Sequence, residues 1–204
     1  MRAPTPENEA ARLEVLRQLE ILDTHPEESF DEITQLAAYI CNTPIAIISL
    51  VDADRQWFKS RVGVTPAGTP RDISFCAHAI MQQGPFIVRD ALDDKRFRDN
   101  PLVISDPYIR FYAGSPLTST EGFNIGTLCV LDRTPKDLSS EQIAALRILS
   151  HQAMTLIEMR REIAFLTRAL NEEKKRAKQL GERLQQSEGA TAGTKQQRAA
   201  EELT

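Results

Sequence analysis

Cys76 and His78, separated by one residue, are the side chains in this 204-residue chain whose types and spacing best suit chemistry. A thiolate is a nucleophile and a metal ligand, and imidazole is a base and a metal ligand. The pair lacks the further ligands that a metal ion needs. Cysteine is also often a buried, unreactive residue. We favour a structural or pocket-lining role, with no metal site and no catalytic residue, over redox or metal chemistry.

The remaining cysteines, Cys41 and Cys129, lie in apolar segments and are predicted to be core residues. Three cysteines at irregular spacing do not indicate a disulfide framework. We therefore expect Cys76 to be mostly buried and unpaired, with no second thiol close enough to form a bridge with it.

Polar and aromatic residues are interleaved between positions 57 and 114 more densely than a core requires. An aromatic-lined cavity with a few polar groups is the usual form of a small-molecule site. We expect Arg71 and Arg96 to approach such a cavity, although charged residues in loops are usually just solvated. A filled core with surface ion pairs is the alternative. The predicted ligand-binding residues are Trp57, Phe58, Arg71, Asp72, Phe75, Cys76, His78, Asp90, Arg96, Asn100, Phe111, Tyr112 and Gly114.

Strands and helices must position these residues, and the stretch Arg110–Asp132 is the clearest signal. Two apolar runs flank a polar segment that carries Gly122, which predicts a hairpin. Gly114 and Gly126 lie inside the runs, where glycine usually marks a bulge or a close approach by a backbone or a ligand. Upstream, apolar periodicity predicts helices over 7–22, 29–41 and 74–83 and strands over 45–51, 55–62 and 86–88, whereas 93–106 reads as irregular.

A long helix follows from Ser139 or Ser140, and a heptad pattern begins at Leu149. Apolar residues at a and d positions predict a coiled coil. We expect a parallel homodimer through this helix, assisted by the N-terminal helix. The predicted dimerisation residues are Leu149, Leu156, Met159, Ile163, Leu166 and Leu170. The predicted organisation is a loose tail over 1–6, a domain over 7–148, a coiled-coil helix over 149–186 and a disordered tail over 187–204.

Composition narrows the class of protein. The formal charge of −4 gives no reason to expect nucleic acid as a partner. No apolar run approaches the roughly 20 residues that cross a bilayer. The N-terminus lacks the apolar core of a signal peptide. We therefore expect a cytoplasmic protein with no membrane partner.

The hairpin sequence RFYAGSPL, a turn, and then IGTLCVLD resembles the central hairpin of a GAF domain. LEVLRQLEILDTHPEESFDEI, PIAIISLVDADRQWFKSRVG, PRDISFCAHAI and RFRDNPLV resemble one bacterial branch of that family, so the resemblance covers about Arg12 to Glu158. It implies an α/β fold of the α+β type, an antiparallel sheet flanked by helices on both faces, here followed by the long coiled-coil helix.

The resemblance implies a sensory or regulatory module in signal transduction that is not an enzyme. It would bind a small molecule over its sheet and relay the bound state through the dimeric helix, and the identity of any ligand or cofactor is unknown. Relatives of this branch commonly act upstream of histidine kinase or diguanylate cyclase domains. A dimerisation or interaction module without ligand is an alternative. A second alternative is an enzyme similar to the free methionine sulfoxide reductases. Cys76 resembles one of their cysteines, but 104–110, ISDPYIR, lacks the catalytic one.

Overall fold

A six-stranded antiparallel sheet is the centre of the computed structural model, which describes the backbone of residues 3–201 and the side chains of residues 3–181. The strand order is β3-β2-β1-β6-β5-β4. Every neighbouring pair is antiparallel. The strands are β1 (Ile45–Val51), β2 (Arg55–Val62), β3 (Gly68–Pro70), β4 (Phe86–Val88), β5 (Phe111–Thr118) and β6 (Asn124–Asp132).

Helices cover both faces of the sheet, which confirms the predicted fold class. One face packs against α1, α2 and the first part of α5, and the other packs against α3 and the segment around α4. A 3₁₀ turn, Arg71–Ile73, leads into α3. The helices are α1 (Glu9–Gln18), α2 (Glu28–Cys41), α3 (Phe75–Ala79), α4 (Pro101–Ile104) and α5 (Ser140–Glu201).

The alternation of side chains along each strand divides the core into two layers. In β1, Ala46 and Ile48 face the layer under α1, α2 and α5, whereas Ile45 and Ile47 face the layer under α3. All seven residues of β1 are buried, because β2 and β6 flank it and helices lie on both of its faces. A strand buried on both faces carries a near-continuous apolar run, and in β1 only Ser49 interrupts it.

The β5–β6 pair forms the predicted hairpin, and its structure explains why glycine is required at three positions. Gly122 in the turn has a φ of 84°, a conformation that favours glycine. A Cβ on Gly126 would collide with the carbonyl oxygen of Ser49 on the neighbouring β1. A Cβ on Gly114 would collide with the hydroxyl group of Tyr112. The predicted close approach of a backbone is confirmed at Gly126, whereas the group that lies close to Gly114 is a side chain.

The first part of α5 belongs to the core of the domain. Its inward face is buried at helical spacing, and Ser150 Oγ lies 2.8 Å from Ser115 Oγ on β5. Leu149 and Leu156, predicted as dimerisation residues, are half-buried against the same layer. The buried residues of this face are Leu146, Ser150, Ala153, Met154 and Ile157. The contacts divide the chain into one compact unit over 1–161 and a second over 162–204.

The second unit is helical from Glu162 to Glu201. Ile163, Leu166 and Leu170 are more than half exposed in the single chain. The tail was predicted to be disordered over 187–204, but its backbone is helical as far as Glu201. Residues 202–204 lie outside the described ones. At the other end of the chain Ala3, inside the predicted loose tail, is buried in the layer under α3. Within residues 3–201, no helix is long and apolar enough to cross a membrane.

Candidate functional site

A cavity of about 440 Å³ lies between the sheet and α3. Its inner wall is apolar, because alternate residues of β1, β2 and β6 point into it and Phe75 closes one side. The volume falls within the roughly 300–1,000 Å³ of small-molecule sites. The lining residues are Ile45, Ile47, Gln56, Phe58, Gly63, Val64, Thr65, Pro66, Thr69, Phe75, Cys76, Leu102, Asp106, Pro107, Ile109, Tyr112, Cys129, Leu131 and Arg133.

The polar groups of the cavity lie in two places. Asp106 and Arg133 are exposed, and Arg133 Nε donates to the carbonyl oxygen of Pro107 at 3.1 Å. Gln56 is buried deeper, and its amide group is already occupied by Ser74 Oγ and Thr69 Oγ1, both at 2.6 Å. The cavity therefore suits a molecule with an apolar body and a polar end that faces Asp106 and Arg133.

Four of the predicted ligand-binding residues line the cavity: Phe58, Phe75, Cys76 and Tyr112. Trp57 and Phe111 instead pack in the layer under α1, α2 and α5. Consecutive residues of a strand face opposite sides of the sheet, so only one residue of each adjacent aromatic pair can face the cavity. The placement of Trp57 and Phe111 beside the cavity is corrected for this reason.

Arg71 lies outside the lining and holds α1 to the β1–β2 turn. It is buried, pairs with Glu9, and donates to the carbonyl oxygen of Asp52 at 2.9 Å. Arg12, also buried, donates to the same Glu9 carboxylate at 2.7 Å. Burial raises the pKa of Glu9, but the two arginines outweigh burial and lower the pKa to about 2. These contacts give Arg71 a structural role.

Arg96 also lies outside the lining and packs on the aromatic cluster beside the cavity. Its guanidinium group pairs with Asp94 and lies 4.8 Å from the ring centre of Phe86 and 5.4 Å from that of Phe97. The Phe97 ring in turn stacks on Phe75 at 4.1 Å. Arg96 is thus separated from the cavity by the cluster.

His78 packs edge-on against Phe97, at 4.8 Å between ring centres. Burial, followed by the charge of Arg96, lowers the pKa of this imidazole. Both effects favour the neutral ring. Its contact is with the aromatic cluster, and it lies outside the lining.

The other predicted residues serve local structure. Asn100 caps α4, since its Oδ1 accepts from the backbone N–H of Leu102 at 2.9 Å while its Nδ2 donates to the carbonyl oxygen of Ile73. Asp90 Oδ1 accepts from the backbone N–H of Leu92 at 3.0 Å. Asp72 is exposed on the 3₁₀ turn, and Gly114 lies beneath the Tyr112 hydroxyl. A ligand-binding role for any of these stays a prediction.

The position of Cys76 relative to Cys129 differs from the prediction. Cys76 is buried and free, but its Sγ lies 3.8 Å from Cys129 Sγ, so the prediction that no second thiol lies close to it is wrong. The two cysteines are 53 positions apart, and the packing of α3 on β6 brings them together. Cys41 lies in the other core layer, where burial raises its pKa to about 11. Among the side chains of residues 3–181, no three histidines, cysteines or acidic residues come together as a metal site.

A charged network connects the cavity wall to α5. Phe58 on β2 lines the cavity, and the next residue, Lys59, has a fully buried side chain. Lys59 Nζ donates to Glu27 Oε1 at 2.6 Å and to the carbonyl oxygen of His25 at 2.7 Å. Arg160 Nε on α5 donates to the same Glu27 Oε1 at 2.9 Å. Glu27 therefore joins the strand that carries Phe58 to the helix that leaves the domain. Sequence patterns did not single out these three charged residues.

Sequence reasoning also missed much of the cavity lining. Ile45 and Ile47 alternate on β1, and Cys129 and Leu131 alternate on β6, with Ile45 opposite Leu131 and Ile47 opposite Cys129. The period of two in both strands was a signal that could have placed these four residues on one face. The loop residues 63–66 and 106–107 carry no such signal, because their positions depend on the fold of the whole chain.

A curated relative from Pseudomonas aeruginosa, named cyclic di-GMP phosphodiesterase, is 44% identical over 164 residues. The match covers 80% of this chain but 28% of that protein's length. The prediction that the protein is not an enzyme is wrong in the light of this relative, whose name is that of an enzyme. The prediction rested on the resemblance to sensory modules, and a match to 28% of an enzyme need not include its catalytic groups.

Solved structures share the fold. A GAF domain from an Acinetobacter phosphoenolpyruvate-protein phosphotransferase aligns over 76% of this chain and 97% of its own, with 18% identity and a TM-score of 0.55. A type II free methionine-R-sulfoxide reductase from Thermoplasma acidophilum aligns over 65% of this chain and 92% of its own, with 12% identity and a TM-score of 0.54. At such identities the likeness shows the fold alone. A sequence model of the GAF domain matches residues 25–157. Sequence, sheet order and structural neighbours agree, and the chain belongs to the GAF domain family.

Proposed function

We propose that this chain is a sensory module that binds a small molecule in the cavity and passes the bound state through α5 to a cyclic di-GMP phosphodiesterase output. The cavity carries the proposal. It keeps about 440 Å³ open beside an aromatic cluster that does not fill it, and it combines an apolar wall with charged residues at one end. The relative's name supports the choice of output over a kinase or a cyclase.

The chemistry of the lining defines the ligand class. Burial of an apolar body against residues such as Ile47, Phe58 and Leu131 supplies roughly 25 cal/mol per Å² of apolar area. Asp106 and Arg133 favour a ligand that also has a polar or charged end, and they select against wholly apolar molecules. We infer an amphipathic small molecule that fits into about 440 Å³.

The relay follows the charged network. A ligand that contacts Phe58 contacts β2. The adjacent residue, Lys59, donates a hydrogen bond to Glu27, and Glu27 also accepts one from Arg160 on α5. A ligand shifts an equilibrium only by binding its two states with different affinities. In our proposal the two states differ in the position of β2 and of the 63–66 loop, and the Glu27 contacts pass that difference to α5.

A second copy of the chain completes the relay. Met159, Ile163, Leu166 and Leu170 expose apolar surface on α5 in the single chain, and a partner helix would remove that surface from water. Leu149 and Leu156 are already half-buried against the chain's own core. The proposed parallel pairing therefore begins at Met159, later than the heptad pattern alone indicates.

Native mass spectrometry of the freshly purified chain tests the ligand. Val64 lines the cavity on a loop, so Val64→Trp should fill part of the space with little strain, whereas Val64→Ala keeps the space open. We expect a bound small molecule on the wild-type chain and on Val64→Ala, and its loss from Val64→Trp. A wild-type chain without a bound molecule, or equal occupancy in Val64→Trp, would contradict the proposal.

A further inference from the structure

Two thiols line the cavity, and the proposed sensing makes no use of their redox chemistry. Cys76 on α3 and Cys129 on β6 both line the cavity, and their sulfur atoms lie 3.8 Å apart. We propose that they form a redox-active dithiol, which a hydroperoxide entering the cavity oxidises to a Cys76–Cys129 disulfide.

The geometry requires little movement. A disulfide has a sulfur–sulfur distance of about 2.05 Å, so the two sulfur atoms must approach by about 1.7 Å. Cys129 lies in β6, which is held between β1 and β5. Cys76 lies in α3, a helix of only five residues that follows a 3₁₀ turn. We therefore place the movement in α3, whose shift toward the sheet would leave the strand pairs of β6 unbroken.

The surroundings of Cys76 favour its thiolate over that of Cys129. Tyr112 Oη donates to Cys76 Sγ at 3.5 Å, and the buried hydroxyl group of Thr127 also faces this sulfur. Burial raises the pKa of Cys76, but contacts with Cys129, Thr127, Tyr112 and Ser49 outweigh it and lower the pKa. Burial and the neighbouring Cys76 raise the pKa of Cys129. Cys76 is thus the attacking sulfur and Cys129 the resolving one.

The chemistry balances with the hydroperoxide as the oxidant. The Cys76 thiol ionises, its thiolate attacks the terminal oxygen, and the O–O bond breaks. The leaving alkoxide or hydroxide takes up the proton that the Cys76 thiol released. Cys76 is then a sulfenic acid. The Cys129 sulfur attacks the Cys76 sulfur, the S–O bond breaks, and the hydroxyl group leaves as water with the thiol proton of Cys129. In total, two thiols are oxidised to one disulfide and one hydroperoxide is reduced. The products besides the disulfide are one alcohol and one water, or two waters when the oxidant is hydrogen peroxide.

The cavity supplies access that burial otherwise denies. Cys76 and Cys129 are 4% and 1% exposed to bulk solvent, but both belong to the lining. Hydrogen peroxide is small and neutral, so an apolar wall does not exclude it. Cys41 is equally buried but belongs to the other layer, which makes it an internal control.

The test exposes the full chain to hydrogen peroxide, quenches with acid, alkylates the remaining thiols, and follows the intact mass and the peptide map. We expect two of the three thiols to be lost together and a peptide that links Cys76 to Cys129. Cys41→Ser should react at the wild-type rate. Cys76→Ser should react at least about ten-fold more slowly, since it lacks the lower-pKa sulfur. Cys129→Ser should stop at a sulfenic acid on Cys76 that dimedone traps.

Tyr112→Phe tests the positioning of the thiolate separately from folding. Removal of a hydrogen bond to a charged group should slow oxidation about ten-fold. The pH at which the oxidation rate is half-maximal should also rise in this variant. The titratable groups that face Cys76 are Cys129 and Tyr112. The inference is overturned if the wild-type Cys76 reacts no faster than Cys41, or if the linked peptide joins Cys41 or two copies of the chain. The wild-type peptide map decides this even where a variant fails to fold.

Discussion

Glu27→Gln removes the negative charge through which Lys59 on β2 and Arg160 on α5 are joined. Glu27 accepts from Lys59 and from Arg160, and the substitution keeps a neutral acceptor of the same shape. Loss of one partner from a buried ion pair costs about 3–5 kcal/mol, whereas an exposed pair contributes about 0–1 kcal/mol. The Lys59 side chain is 0% exposed and that of Glu27 is 36% exposed. The expected loss lies between these limits, at about 2 kcal/mol.

The same contacts fix the pH dependence of that loss. Burial raises the pKa of Glu27, but Lys59 and Arg160 outweigh it and lower the pKa. A carboxylate whose folded pKa lies below its unfolded value of about 4.3 contributes fully above that value. Its contribution is lost as the pH falls through the folded pKa. The difference in unfolding free energy between wild type and Glu27→Gln should therefore be largest at neutral pH and shrink below about pH 4.

Urea and thermal unfolding measure this effect, with Glu28→Gln as the matched control. Glu28 is an exposed neighbour in the first turn of α2. For a chain of this size, about 2 kcal/mol corresponds to a drop of about 4–8 °C in Tm. The reasoning is refuted if Glu27→Gln matches Glu28→Gln at neutral pH, or if its deficit stays constant in acid.

The remaining predictions concern a strand and the proposed dimer. Gly114→Ala should lower the free energy of unfolding in urea by about 1–3 kcal/mol, because its Cβ meets the Tyr112 hydroxyl group. Gly84→Ala should change that free energy little, because a Cβ there has open space. Equal losses in the two variants would contradict this explanation. The full chain should sediment as a dimer at micromolar concentration, whereas a version ending at Arg161 should be a monomer because it lacks Ile163. A monomeric full chain, or a dimeric short one, would count against the pairing.

Periodicity in the sequence predicted the elements that depend on local patterns. The β5–β6 hairpin and the strand β1 follow from apolar runs and turn residues, and both are present. The helix α4 was missed within the segment read as irregular. Its signal is short, since Asn100 caps it and Pro101 occupies its first turn, a pattern that also occurs in loops.

The site was less predictable, because it depends on contacts between distant segments. Residue type alone placed Trp57 beside Phe58 in the pocket, whereas the pleat sends them to opposite faces. Cys76 and Cys129 meet only through the packing of α3 on β6. Arg71 has the charge of a ligand-binding residue, but its partner Glu9 is 62 positions away and could not be recognised from spacing.

The central claim is that the state of the cavity controls the output. The most direct measurement is cyclic di-GMP hydrolysis by the Pseudomonas aeruginosa relative after its matching segment is replaced with this chain. The replacement would carry Val64, Val64→Ala or Val64→Trp. Couplings between sites are typically worth about 5-fold to 150-fold in an equilibrium. We predict that Val64→Trp changes the hydrolysis rate at least about 5-fold relative to the other two, and equal rates in all three chimeras would contradict the account.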